Sequence, residues 1–209
     1  MVLVTHDLHE ARRLADRVVI LDGGSTLQSG TPAQVFASPR NARVAELVGI
    51  QNHFKGRFEK ASSGDTPGTA PGNATLHWAS GERSLVLQVQ DKGKIADGAA
   101  VTWVLASELL DIQPVDSGTH DIQGRDAQKS NVLVCTLTQM LGLGEISLCT
   151  LEPAALAGER ITLNLASSLV RNLQLEVGSQ VLLRVPPNAV HIMPLRTGAA
   201  AGAEAALRP

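Results

Sequence analysis

Three consecutive residues near the start of the chain, Thr5-His6-Asp7, separate an apolar run, "VLV", from a segment with helical periodicity. The run predicts a short buried strand, and Asp7 is a good helix N-cap with Glu10 as its capping-box partner. A histidine on the loop that enters a helix can hydrogen-bond a phosphate, because the helix N-terminus favours negative charge. His6 is therefore the first candidate for a residue that does chemistry.

The sequence lacks the other residues that nucleotide chemistry would need. No G-x-x-x-x-G-K-[ST] loop occurs in the chain, and no apolar strand ending in paired carboxylates precedes His6. Without the backbone N–H groups and the lysine of such a loop, nothing cradles the phosphates or holds Mg²⁺. We expect no ATP hydrolysis by this chain on its own.

The composition excludes several classes of partner. Aromatic residues make up only 2% of the 209 residues, which argues against the stacking platforms of single-stranded nucleic-acid binding. The net charge is −2 with no basic stripe, and no apolar run is long enough to span a bilayer. The two cysteines, Cys135 and Cys149, are expected to be reduced core residues. These features predict a cytoplasmic protein with no nucleic-acid partner and no membrane insertion.

Composition and periodicity divide the chain into five stretches. The first contains a strand at "VLV", a helix, a hairpin that turns at Asp22-Gly23-Gly24, and a helix opened by Thr31-Pro32. Two later stretches are rich in strands, and a polar linker and a loose tail complete the chain. The boundaries that we predict are 1–48, 49–115, 116–129, 130–195 and 196–209.

Both β-rich stretches are predicted to form small barrels. In "VLVCTLT", "EISLCTLE", "RITLNLA" and "QVLLRVP" apolar residues recur at every second position, as in half-buried strands. "SSLVRNLQLEVG" predicts a single short helix, and closing the strands into a barrel removes exposed edges. In the first β-rich stretch the predicted strands are 53–59, 74–78, 84–90 and 100–105.

The two β-rich stretches also repeat each other. "ADGAAVTWVLASELLDIQP" (96–114) aligns without gaps on "EVGSQVLLRVPPNAVHIMP" (176–194), at an offset of 80 residues. The alignment matches Ile112 with Ile192 and Pro114 with Pro194. The shared order of turn, strand and proline predicts tandem copies of one module.

The first stretch resembles the end of an ABC-transporter ATPase domain. The residues that carry the resemblance are "VLVTHDLHEARRLADRVVILDGG", followed by "SGTPAQVFASP". By match to the family's motif, His6 is the switch histidine that contacts the nucleotide γ-phosphate. The resemblance implies the C-terminal portion of a longer ATPase, in which ATP and Mg²⁺ would belong only to the full-length protein.

The string "GERITLNLASSLVRNLQLEVGSQVLLRVPPNAVHI" resembles the Mop-type, TOBE-like module. This resemblance implies a mainly β fold of tandem OB-like barrels. It also implies binding of a tetrahedral oxyanion, molybdate or tungstate, at interfaces between modules. Such an anion needs several donors, which backbone N–H groups and hydroxyls can supply without a high net charge.

The same resemblance implies which residues would bind the anion. Lys129, Ser130 and Asn131 occupy the opening motif of the second module, and Ser167 and Ser168 precede its short helix. Only the asparagine of the family's S-A-R-N opening is retained, and the lysines of its "TKES" and "IKA" motifs are replaced. The alternative interpretation of these residues is a solvated strand start and a helix cap.

Taken together, the resemblances predict the regulatory, oxyanion-binding part of the ATP-binding subunit of a molybdate ABC importer. It would form a homodimer through its barrels and lie beside the transporter's membrane subunits at the inner membrane, without a metal or further cofactor. Two alternatives stay open. One is a purely structural dimerisation module of an importer for sulfate, a polyamine or a sugar. The other is an enzyme subunit whose missing nucleotide-site parts come from a separate polypeptide.

Overall fold

The computed structural model describes residues 1–60, 73–115 and 131–195. The predicted linker and the predicted tail lie outside these ranges. Within them, no helix combines the length and the apolar character that crossing a bilayer requires.

The first stretch folds into three short helices around a β-hairpin. The hairpin turns at Gly23 and Gly24, whose φ values of 53° and 75° match the left-handed pair that a two-residue hairpin loop favours. Thr31 caps the second helix and shares a capping box with Gln34, as the Thr31-Pro32 signal predicts. The elements are α1 (Leu8–Leu14), β1 (Val18–Asp22), β2 (Ser25–Gly30), α2 (Pro32–Ala37) and α3 (Ala42–Leu47).

The start of this stretch departs from the prediction in two ways. Residues 2–4 form no strand, and Val2 and Val4 are more than 90% exposed, because none of the described strands lies beside them to complete their hydrogen bonds. Asp7 does cap α1 by accepting from the backbone N–H groups of residues 9 and 10. Glu10, however, accepts from the Thr5 hydroxyl at 2.9 Å, so the predicted capping box does not form.

The rest of the described chain contains ten strands, and the predicted period-two segments are all strands. They form two five-stranded sheets in the orders β12-β6-β3-β4-β5 and β10-β9-β8-β11-β7. The short helix α4 (Ser167–Asn172) follows β10, as predicted. The strands are β3 (His53–Lys60), β4 (Asn73–Ser80), β5 (Arg83–Gln90), β6 (Ala100–Leu105), β7 (Asp111–Pro114), β8 (Val132–Leu143), β9 (Ile146–Pro153), β10 (Ile161–Ala166), β11 (Gln180–Arg184) and β12 (Val190–Pro194).

The two sheets exchange their last strands. β7, at the end of the first repeat, pairs with β11 of the second, and β12, at the end of the second repeat, pairs with β6 of the first. The exchange is symmetric, because Val101 lies opposite Pro194 and Val181, 80 residues later, lies opposite Pro114. Each strand therefore covers an edge that the other repeat would otherwise leave unpaired.

One continuous core joins the two repeats. Phe54, Trp78 and Trp103 fill the first sheet with ring centroids 4.6–5.0 Å apart, and the same cluster continues into Cys135 and Leu183 of the second sheet. The mainly β fold, with curled half-barrel sheets, is confirmed. The repeats do not form two independent barrels, however, since they share strands and core.

Candidate functional site

A buried asparagine joins the start of the first repeat to the second sheet. Asn52, 3% exposed, accepts the Thr162 N–H at 2.7 Å and donates to the Thr162 carbonyl at 2.6 Å. Its second amide hydrogen goes to the Ser107 hydroxyl oxygen at 2.8 Å. The side chain therefore pairs with the sheet edge at β10 as a neighbouring strand would. We call this arrangement the Asn52 clasp.

A second asparagine repeats the arrangement with the sheets reversed. Asn131, 5% exposed, accepts the Gln88 N–H at 2.6 Å and donates to the carbonyls of Gln88 and Val185 at 2.7 and 3.0 Å. Its φ of 46° is in the left-handed region, which asparagine tolerates better than most residues. This is the Asn131 clasp. The two clasps close the sheets against each other from both sides.

The Asn52 clasp lies in the wall of an open groove of about 720 Å³. α1 and α2 of the first stretch, the first repeat, and β9 and β10 of the second repeat each contribute lining residues. All three parts of the chain therefore meet at this groove. Its lining residues are Arg12, Pro32, Ala33, Phe36, Ala37, Gly49, Ile50, Gln51, Asn52, Val104, Leu105, Ala106, Ser107, Glu108, Leu148, Thr162 and Asn164.

The groove carries charge of both signs and several neutral donors. The Arg12 guanidinium lies 4.3 Å from the centroid of the Phe36 ring, a cation–π contact. No described residue forms an ion pair with Arg12 within 4.0 Å. Ser107 accepts from Asn52 and keeps its own hydroxyl hydrogen for another partner. The Asn164 amide is exposed on β10 and can donate hydrogen bonds. The Glu108 carboxylate is also exposed, and its negative charge would repel an anion in the groove.

Asn131 and Ser167, two of the predicted anion ligands, lie at opposite ends of β8, and neither lines the groove. Asn131 precedes β8, and its amide hydrogens are both used in the clasp. Ser167 lies beyond the far end of β8, where its hydroxyl donates to the Gly144 carbonyl and lies 2.9 Å from Ser147 Oγ. The twelve residues of β8, at most roughly 40 Å of extended chain, lie between the two sites. A single ion within one chain cannot contact both.

Of the remaining predicted site residues, the structure describes Ser168 and His6. Ser168 is exposed on α4, and Lys129 and Ser130 lie outside the described residues. His6 is exposed on the loop before α1, next to Asp7, whose pKa the backbone N–H groups of the helix start lower. No group of three or more His, Cys, Asp or Glu side chains that could hold a metal ion occurs among residues 1–60, 73–115 and 131–195.

Sequence reasoning missed the Asn52 clasp and the groove beside it. A signal for the clasp was available, because "QN" at 51–52 begins the first repeat much as "SN" at 130–131 begins the second. The groove had no such signal. Its lining combines Arg12, Ser107 and Thr162, which only the packing of distant elements brings together.

No family model matches the chain. A relative from Rhizobium meliloti, the Fe(3+) ions import ATP-binding protein FbpC 2, is 27% identical over 187 residues, 88% of this chain and 42% of that protein. The sulfate/thiosulfate import ATP-binding protein CysA of Burkholderia mallei is 27% identical over 196 residues, 93% of this chain and 46% of that protein.

A shorter match is closer in sequence. The spermidine/putrescine import ATP-binding protein PotA of Marinobacter nauticus is 48% identical over 65 residues, 31% of this chain and 17% of that protein. Among solved structures, the cytoplasmic molybdate-binding protein ModG with molybdate bound has a TM-score of 0.49 and 19% identity, covering 70% of this chain and 97% of that chain. The chain spans less than half the length of the curated relatives described here, and its homologues are ATP-binding subunits of ABC importers.

Proposed function

We propose that this chain is the regulatory C-terminal part of an ABC importer's ATP-binding subunit, and that it binds a tetrahedral oxyanion in the groove beside Asn52. The observation that carries the proposal is the position of the groove, where the ATPase-like first stretch meets both repeats. Relatives that cover 88% and 93% of the chain support this context, since their matches extend across both parts. Membrane subunits of a transporter, at the inner membrane, are the partners that this role implies.

Molybdate or tungstate is the ligand that we propose. The donors for it are the Ser107 hydroxyl, the Asn164 amide and the Arg12 guanidinium, which together provide hydrogen bonds and one positive charge. The groove is larger than one such anion, so ordered water would complete its shell. Lys129, Ser130, Ser167 and Ser168 stay predicted ligands for an anion elsewhere, at an interface between copies of the chain.

Glu108 makes the sign of the ligand testable. Removing its negative charge with Glu108→Gln should strengthen binding of molybdate, tungstate or sulfate and weaken binding of spermidine, because only the anions are repelled by the carboxylate. We expect a change of about threefold for this exposed group, measured by titration calorimetry. Glu82→Gln, at the exposed turn between β4 and β5, removes the same charge away from the groove and should change nothing.

Two results would contradict the oxyanion assignment. One is the absence of heat from all three anions at millimolar concentration with a folded protein. The other is spermidine binding that is tighter than binding of the anions and that Glu108→Gln weakens, which would assign the groove to a polyamine.

The proposed function includes no ATPase activity of this chain on its own. Turnover above background in a Mg²⁺-ATP assay, lost on His6→Ala, would contradict that part.

A purely structural role is the second candidate, and an exposed apolar face favours it. Leu141, Leu143 and Ile146 lie on one face at the tip of the β8–β9 hairpin and are 48–61% exposed. Ser167 supports the tip through its bonds to Gly144 and Ser147. If this face joins two copies of the chain, Leu143→Ser should convert a dimer to a monomer in analytical ultracentrifugation. A dimer that Leu143→Ser leaves unchanged would contradict this role for the tip.

A further inference from the structure

The cation of the groove does not belong to the repeats. Arg12 lies on α1, five residues after Asp7, on the helix that directly follows His6. Its guanidinium is held over the ring of Phe36, which is itself 9% exposed and part of the small core of the first stretch. A ligand in the groove would therefore contact α1, the helix that follows His6.

α1 is loosely attached to the rest of the structure. None of its residues is buried, and its apolar contacts come from Leu8 and Ala11, which are only partly covered. The Arg12–Phe36 contact is a further attachment of this helix to α2. A helix with so few buried side chains is expected to open easily, since little apolar surface is exposed when it does.

We propose that Arg12 couples the groove to α1, so that an anion bound in the groove holds in place the helix that follows His6. This inference rests on the proposed function, because it names how occupancy of that same groove is communicated. The guanidinium can keep one face on Phe36 while its N–H groups turn toward the anion, since stacking and in-plane hydrogen bonding use different parts of the group. The bound anion then adds a second attachment of α1, to the repeats.

The coupling has a reciprocal consequence. If the anion stabilises the attached position of α1, then a change that lowers the fraction of α1 in that position also lowers the affinity for the anion. Arg12→Ala removes both the stack and the charge. We expect it to weaken molybdate binding about tenfold, the range of one charge-assisted hydrogen bond at a partly solvated site.

Arg13 provides the matched control. It is an exposed arginine on the same helix, adjacent in sequence, and it does not line the groove. Arg13→Ala removes the same charge from the chain and leaves the groove residues in place. We therefore expect molybdate affinity within about twofold of the wild-type value for this variant, as for other exposed surface charges.

The experiment combines calorimetry with amide hydrogen exchange of the full chain, using sodium molybdate as the probe. The reporter is the α1 peptide, including Ala15, whose N–H donates to the Ala11 carbonyl at 3.3 Å. Without ligand, Arg12→Ala should speed exchange in α1 relative to Arg13→Ala. With saturating molybdate, exchange in α1 should slow in wild type and in Arg13→Ala, and stay unchanged in Arg12→Ala.

The outcomes separate the coupling from the proposed function. Molybdate binding that Arg12→Ala does not weaken, or that leaves exchange in α1 unchanged in the wild-type chain, overturns the coupling while anion binding stands. Failure of molybdate, tungstate and sulfate to bind wild type overturns both. Equal exchange of α1 in the two unliganded variants overturns the role of the Arg12–Phe36 contact, whatever the ligand does.

Discussion

The Asn52 and Asn131 clasps make the same backbone contacts in opposite directions, and the residues around Asn52 form a groove. Asn52 has Ser107 and Glu108 beside it, whereas the equivalent positions in the second repeat are Pro187 and Asn188. The first stretch also contributes lining residues on the Asn52 side, from α1 and α2. The repeated backbone contacts hold the sheets together, and the groove at the Asn52 clasp is lined in part by residues that the second repeat does not share.

The cores of the two repeats divide side-chain volume differently between two neighbouring positions, a difference that we call the exchange of volume. Gly56 and Cys135 hold equivalent positions, because Gly56 lies opposite Val101 and Cys135 lies opposite Val181. Two residues further along the partner strand is Trp103 in the first repeat and Leu183 in the second. A Cβ at Gly56 would lie 3.2 Å from Trp103 Nε1 and 2.8 Å from the His77 carbonyl oxygen. The first repeat thus combines a glycine with a tryptophan where the second combines a cysteine with a leucine.

The largest expected effect tests this exchange of volume. Trp103→Ala should lower the free energy of unfolding by about 4 kcal/mol, since the ring is fully buried, and Gly56→Cys by about 2 kcal/mol through overpacking. The double variant should be about 1 kcal/mol more stable than the two costs predict, because the new side chain enters space that the ring vacates. Denaturant unfolding of the four proteins measures this coupling.

Leu183→Ala is the control partner for Gly56→Cys, because Leu183 holds the position of Trp103 in the other sheet. Its effect should add to that of Gly56→Cys without coupling. If the Trp103 and Gly56 changes also add to within about 0.5 kcal/mol, the exchange of volume is not what distinguishes the two cores.

The next largest effect compares the two clasps directly. Loss of the side-chain amide alone should cost about 2 kcal/mol of unfolding free energy in both Asn52→Ala and Asn131→Ala, because it leaves the N–H and carbonyl of an edge residue without a partner. Asn131→Ala should cost about 1 kcal/mol more, since alanine is strained at a φ of 46°. Thermal or denaturant unfolding measures both changes.

Asn131→Gly separates the two contributions at that position. Glycine removes the amide but accepts the left-handed backbone, so this variant should be more stable than Asn131→Ala. An Asn52→Ala protein as stable as wild type would show that the clasps are equivalent in geometry but not in energy.

The smallest effect concerns the exchanged strands, where His191 of β12 holds the position of Asp111 in β7. His191 Nε2 lies 3.0 Å from the Pro39 carbonyl oxygen and so joins the second repeat to the first stretch. Burial lowers the pKa of His191, with further lowering by Lys92 and Lys94, and the bond to Pro39 opposes this. The unfolded chain, with a histidine pKa of about 6.5, therefore takes up the proton first as pH falls.

It follows that the neutral ring stabilises the fold above pH 6.5 and that this contribution is lost as pH falls through that value toward the folded pKa. His191→Gln should reduce the loss of stability between pH 7.5 and 5.5, measured by denaturant unfolding. Asp111→Asn, at the exposed equivalent position, should not alter the slope over that interval. An unchanged slope in His191→Gln would show that the histidine is not what makes the two exchanged strands differ.

Local features of the sequence were enough to predict much of the secondary structure. The period-two runs, the Asp22-Gly23-Gly24 turn and the Thr31 cap each depend on residues a few positions apart, and each is present in the structure. The 80-residue repeat also predicted that two similar units would occur. The prediction of a strand at "VLV" is wrong because a strand requires a neighbouring strand for its backbone hydrogen bonds, and these three residues do not supply one.

What the sequence by itself determined was therefore the set of strands and helices and their repetition. Only the tertiary structure decided that β7 and β12 exchange sheets, because strands of four and five residues carry no local signal for the edge they will cover. It also decided the site. Asn52 reaches Thr162 across 110 residues, and Arg12 comes from a different part of the chain again, so the groove exists only where three separately encoded surfaces pack together.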